Sequence, residues 1–199
     1  MKYSVRELVY IAIFGAIWGA LEITLGSYLH VIFPPLADTF LVGLIMVAIG
    51  IVVALIGRLF VPRAGSVLMI GTVTAILKMI SIGGVKIGPM AAILVESLLM
   101  ELGLFLARKP RRWGFVLAGA LAVSWNFFHK FIFMWLLFGK GVYEVYLGMI
   151  QQGANLLRID VSYSLAIIAV LLLLRIVFGG LAGWLAWDLG RVVRDRLAR

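Results

Sequence analysis

The chain has 199 residues, of which 64% are hydrophobic and only 14% charged, and its mean hydropathy is +1.13. A water-soluble domain of this length cannot hide so much apolar surface, so the composition excludes one and points to an integral membrane protein. With no cysteine, disulfides and thiolate metal sites are excluded, and the net charge of +9, which in a soluble protein would point to nucleic acid, is distributed here as a topology signal.

A bilayer core takes about 20 residues of apolar helix. Six such segments can be marked, roughly 7–29, 40–57, 66–82, 89–107, 113–138 and 161–187. The expected fold is therefore an all-α integral membrane protein, one bundle of six transmembrane helices forming a single domain over residues 1–199. The breaks are punctuated by Pro34-Pro35, Pro62, Gly83-Gly84 with Gly88-Pro89, and Pro110.

The first segment contains AIFGAIWGALE. Ala12, Gly15, Ala16, Gly19 and Ala20 fall within an arc of roughly 140° at about 100° per residue, with Glu22 nearer the outer end. In lipid, helices associate by close packing, so small residues mark contact faces. Such a stripe packs either within its own bundle or against a partner chain. The segment is too long for a cleaved signal peptide and carries Glu22, so it is expected to remain as a span. After the loop HVIFPPLADT and the second segment, the third places Thr74, Lys78 and Ser81, with Gly71, on one face. The fourth follows the glycine-rich GGVKIGP and carries Glu96 in its outer half and Glu101 deeper.

The fifth segment holds WNFFHK, in which Trp125–His129 and Asn126–Lys130 are each one turn apart. An aromatic ring, an amide, an imidazole and an ammonium make a plausible ligand wall. Residues 139–160, including Tyr143 and Tyr146, are read either as a lid or as an interfacial helix. The sixth segment carries Arg175, expected to pair with Glu101 inside the bundle.

Twelve of the eighteen basic residues fall on one side: Lys2, Arg6, Arg58, Arg63, Arg108, Lys109, Arg111, Arg112, Arg191, Arg194, Arg196 and Arg199. The opposite loops hold Lys86, Lys140 and Arg158. By the positive-inside rule both termini are cytoplasmic. Glu22, Lys78, Glu96, His129 and Lys130 then gather toward the outside, as the walls of a polar cavity. Lys78 and Lys130 have the alternative of snorkelling to the outer headgroups.

No HExxH, GxSxG, calcium-loop or GxxxxGK[ST] pattern occurs, and two lone histidines, His30 and His129, supply no zinc triad. No cofactor or metal is expected, and any ATP-driven step would need ATPase subunits on other chains. Two other readings stay open: a membrane-embedded enzyme acting on a lipid or isoprenoid, in which Glu101 and Arg175 would matter most, and a ligand-free assembly subunit.

The alanine-every-fourth stretch Ala12–Ala20, the length, the six segments and the basic cytoplasmic side resemble the substrate-binding S components of energy-coupling factor (ECF) vitamin transporters. The resemblance implies that the face of Ala12, Gly15, Ala16, Gly19 and Ala20 docks a transmembrane coupling subunit served by two ATPase subunits. It also implies an outward-facing substrate site closed by extracytoplasmic loops, in a prokaryotic cell membrane, with no catalysis by this chain. GGVKIGPMAAILVESLLMELGLFLARK looks like the third-loop and fourth-helix region of S components linked to thiamine or its hydroxymethylpyrimidine precursor. That likeness implies an aromatic ligand, cationic or polar, held by Glu96 and Glu22 and stacked on Trp125. The expected substrate-binding set is Glu22, Lys78, Glu96, Trp125, Asn126, His129 and Lys130, with Tyr143 and Tyr146 from the lid. Lys78 and Lys130 balance the two glutamates, which leaves an anionic vitamin such as pantothenate or biotin open as well.

Overall fold

The structure, a computed structural model, describes residues 3–32, 40–80, 87–108, 111–138, 147–148, 150–151, 153–155, 158 and 160–197, with the side chains at 27, 30–32, 40–41, 130–131, 133–135, 137–138 and 197 excepted. Among the described residues there is no strand. The helices are α1 (Val5–Ile32), α2 (Phe40–Phe60), α3 (Ser66–Ile80), α4 (Ile87–Leu106), α5 (Arg112–Phe138) and α6 (Ser164–Leu197), the last preceded by a 3-10 turn at Val161–Tyr163. Among the described residues, four stretches of helix are long and apolar enough to cross a membrane: Val5–Gly26, Val42–Phe60, Ile87–Leu106 and Val161–Arg196. The described part of α3 has 15 residues and is about 22 Å long; residues 81 and 82 of the segment read from the sequence lie outside the described residues. Helix α6 runs ten residues past the expected end at 187.

Helix starts are chemically marked. Ser4 and Glu7 form a capping box, in which the Ser4 amide donates to the Glu7 carboxylate at 2.7 Å and the Glu7 amide donates to the Ser4 hydroxyl at 3.3 Å. Asp160 caps the turn before α6 by accepting from the Ser162 amide at 2.8 Å. At the start of α3, Gly65 takes φ +87°, a conformation open to glycine.

The helices close into a ring in the order α1, α3, α4, α5, α6, α2, with α2 also leaning inward against α3, α4 and α5. Small residues allow the tightest crossings. A Cβ on Gly119 of α5 would collide with the Gly179 carbonyl of α6, and one on Gly183 would collide with the Phe115 carbonyl, so these two backbones touch. Trp18, Ile51, Leu55, Ile70, Met100 and Phe115 are fully buried within the ring. Ile13, Ile17, Leu102, Phe105, Leu173 and Leu181 are exposed on its outside. Helices apolar on both faces suit lipid surroundings.

At the end of the ring that carries the N-terminus, exposed Trp113 and Trp184 meet edge to face at 6.3 Å. The Arg112 guanidinium lies 4.5 Å from the Trp184 ring centre and bonds Asp188 at 2.5 Å. The described residues between 147 and 155 are helical. Among them Ile150 and Ala154 are buried against Phe127, Ile167 and Leu171, so this part of the long connection docks on α5 and α6.

Candidate binding site and docking face

Glycine lets α3 settle on α1. A Cβ on Gly15 would lie 2.6 Å from the Val73 Cβ, and one on Gly19 would lie 2.8 Å from Leu77 Cδ1. The Thr74 hydroxyl donates to the Gly15 carbonyl at 3.0 Å. One turn on, Lys78 Nζ donates to the Glu22 carbonyl at 3.0 Å and to Glu22 Oε2 at 3.2 Å. Both side chains are largely buried, Lys78 at 17% exposure and Glu22 at 14%. Lys78 therefore turns inward to α1, because an opposite charge at close range offsets its desolvation.

The second polar group lies near the middle of the bundle. Glu96 of α4 and Arg175 of α6 are each only 4% exposed. Arg175 Nη1 donates to Asn126 Oδ1 of α5 at 2.6 Å, and Asn126 is also hydrogen-bonded to Glu96. The guanidinium lies 5.7 Å from the Phe127 ring centre. Gly43 of α2 makes room for the amide, since a Cβ there would sit 3.6 Å from Asn126 Oδ1. Glu22 and Glu96 are close enough for their charges to interact, so the two polar groups adjoin. Beside them Trp125 has a buried indole N–H with no hydrogen-bond partner among the described residues, and His129 stands half-buried one turn further along α5.

The structure thus brings Glu22, Lys78, Glu96, Trp125, Asn126 and His129 onto helices α1, α3, α4 and α5 of one bundle. The Lys130 side chain, Tyr143, Tyr146 and Ser81 lie outside the described residues. Among the described residues no group of three histidine, cysteine, aspartate or glutamate side chains could hold a metal ion.

Three expectations need correction. Arg175 does not pair with Glu101. The Glu101 carboxylate accepts from the Val67 amide at 2.8 Å, capping α3 at its otherwise unsatisfied first turn. It belongs to a separate layer near the N-terminus. There Arg58 bonds the Ser66 hydroxyl at 3.1 Å, Tyr3 bonds the Ala64 carbonyl at 2.9 Å, and Glu7 pairs with Arg63 at 2.6 Å. Burial, with Glu101 nearby, pushes the Tyr3 hydroxyl above its ordinary range.

The polar face read on α3 does not line one cavity either. Thr74 is bonded to α1, and Gly71 is pressed against Ser97 of α4. The small-residue stripe also splits. Gly15 and Gly19 are buried against α3. Ala12, Ala16 and Ala20 are exposed, flanked by exposed Ile13 and Ile17.

Sequence reasoning missed Arg175 as the partner of Asn126, because no spacing relates positions 126 and 175. It also passed over Gly179-x-x-x-Gly183, a small-residue spacing that was legible on the sixth segment. Compared with known proteins, the chain matches no family model, no curated protein and no solved structure.

Proposed function

We propose that this chain is the substrate-capture (S) subunit of an ECF-type importer, taking up a small water-soluble vitamin or precursor, with thiamine-related compounds among the candidates. In this reading the six helices span a prokaryotic plasma membrane with both termini cytoplasmic. The chain turns nothing over itself. It docks a transmembrane coupling subunit through the Ala12, Ala16 and Ala20 face, and two ATPase subunits act through that partner.

One observation carries the reading. Charged and amide side chains from α1, α3, α4, α5 and α6 converge from the middle of the bundle toward the end away from the N-terminus, while the first half of α1 leaves its alanines outward. Buried ionisable groups in a spanning bundle are costly and usually serve a ligand path. Glu101, the carboxylate that a lipid-acting enzyme would use beside Arg175, is engaged as the cap of α3, which favours capture over catalysis.

The test is tryptophan fluorescence of the detergent-purified protein titrated with thiamine, hydroxymethylpyrimidine, riboflavin, biotin and pantothenate, corrected for ligand absorption. The expected result is saturable quenching by one ligand, lost in Glu96→Gln and in Trp125→Ala. Silence across the panel from demonstrably folded protein would overturn the reading.

A further inference from the structure

We propose that the slot between α2 and α6 binds one acyl chain of an anionic phospholipid, with the lipid phosphate held by Arg112 and Arg191 at its mouth. The proposal does not depend on the capture reading and needs only that the bundle stands in a bilayer.

The slot measures about 400 Å³ and is lined by side chains that carry no polar group. The short side chains of Ala48 on α2 and Ala182 on α6 keep it open, and Val52, Val53, Phe178, Leu181 and Leu185 wall it. Phe178, Leu181 and Leu185 are exposed on the outside of the ring, so hydrocarbon has access from the bilayer.

The mouth is basic. Along α6 toward the N-terminal end of the ring, Asp188 follows Leu185 and Leu181 by one and two turns on the same side. It accepts from Arg112 Nη2 at 2.5 Å, while the Arg112 guanidinium lies over Trp184. Arg112 stays 41% exposed, and its Nε–H has no hydrogen-bond partner among the described residues. Arg191, one turn past Asp188, and Arg111, next to Arg112, are exposed. Three arginines against one aspartate leave net positive charge at the mouth.

The depth fits one leaflet. From Asp188 to Phe178 is ten residues, about 15 Å of helix and half of a hydrocarbon core of about 30 Å. The exposed pair Trp113–Trp184 marks the same end as interfacial.

Charge decides the occupant. A second copy paired in parallel about a two-fold axis would bring its own arginines to the same end and be repelled. A zwitterionic lipid would fill the slot but set a cation beside the arginines. An anionic phospholipid satisfies slot and mouth together.

The experiment is native mass spectrometry of the full-length, detergent-purified protein titrated with dioleoyl phosphatidylglycerol or dioleoyl phosphatidylcholine, which share their chains. The first bound phosphatidylglycerol is expected to be about tenfold tighter, the size that one or two arginines at a membrane surface supply. Arg112→Gln with Arg191→Gln is expected to collapse that ratio toward one. Ala48→Leu, which fills the slot, is expected to weaken both lipids. Should Ala48→Leu lose its thermal transition, Leu181→Trp blocks the slot from its exposed wall with the same expected loss. Equal binding of the two lipids overturns the proposal, as does a preference that survives the arginine substitutions. Phosphatidylglycerol binding unchanged by the slot variants overturns it too. So does a lipid-free dimer that these variants dissociate, since the occupant would then be a second copy.

Discussion

The two small-residue faces of α1 have similar sequences and opposite fates. Gly15 and Gly19 are buried on α3, whereas Ala12, Ala16 and Ala20 lie about 80° away around the helix and are exposed. The difference is one methyl group. Without a Cβ, α1 approaches Val73 and Leu77 closely enough for Thr74 to reach the Gly15 carbonyl and Lys78 to reach Glu22. Alanine permits a smooth surface without requiring contact. A small-residue stripe thus needs dissection by residue type before it is assigned to a partner, because glycine and alanine at interleaved positions serve different neighbours.

The largest expected effect comes from filling the glycine face. Gly15→Leu would drive a side chain into Val73 and the Ile70 carbonyl, costing about 3 kcal/mol or more. Thermal unfolding in detergent should show a sharply lowered transition, and a transition unchanged from wild type would mean that α1 and α3 do not pack this closely. Next is Lys78→Met, which strands a largely buried Glu22 carboxylate and should cost about 2 kcal/mol, below the 3–5 kcal/mol of a fully buried pair because some solvent reaches it. Pairing it with Glu22→Gln should recover part of that loss, and strict additivity in a double-mutant cycle would rule out the contact.

Glu101→Ala separates scaffold from site. It leaves the buried Val67 amide unpaired and should cost about 1–2 kcal/mol, while ligand titration curves keep their midpoint. A shifted ligand midpoint would return Glu101 to the binding site. The smallest effect on stability is expected on the alanine face, where Ala16→Trp should stay within about 0.5 kcal/mol and leave ligand binding intact. Under the proposed capture role it should nevertheless abolish co-purification with the proposed coupling subunit and with it uptake. Loss of ligand binding by the isolated variant would count against the docking role.

Helix type and approximate extent were legible in the sequence, since long apolar runs broken by Pro62 and Pro110 leave the backbone few alternatives to α-helix in lipid. The ionisable residues to watch were legible too, because Glu22, Lys78, Glu96 and Arg175 stand out in apolar segments. Which groups meet was decided by tertiary structure. Asn126 and Arg175 are 49 positions apart, and Lys78 and Glu22 are 56 apart. Their pairing depends on which helices neighbour one another and how closely Gly15, Gly19 and Gly43 let them approach. Glu101 is the sharpest case. The sequence determined that a carboxylate would lie deep in α4, but only the packing of α3 against α4 brought the orphan amide of Val67 to it, since a helix start must be satisfied by whatever acceptor the fold places there.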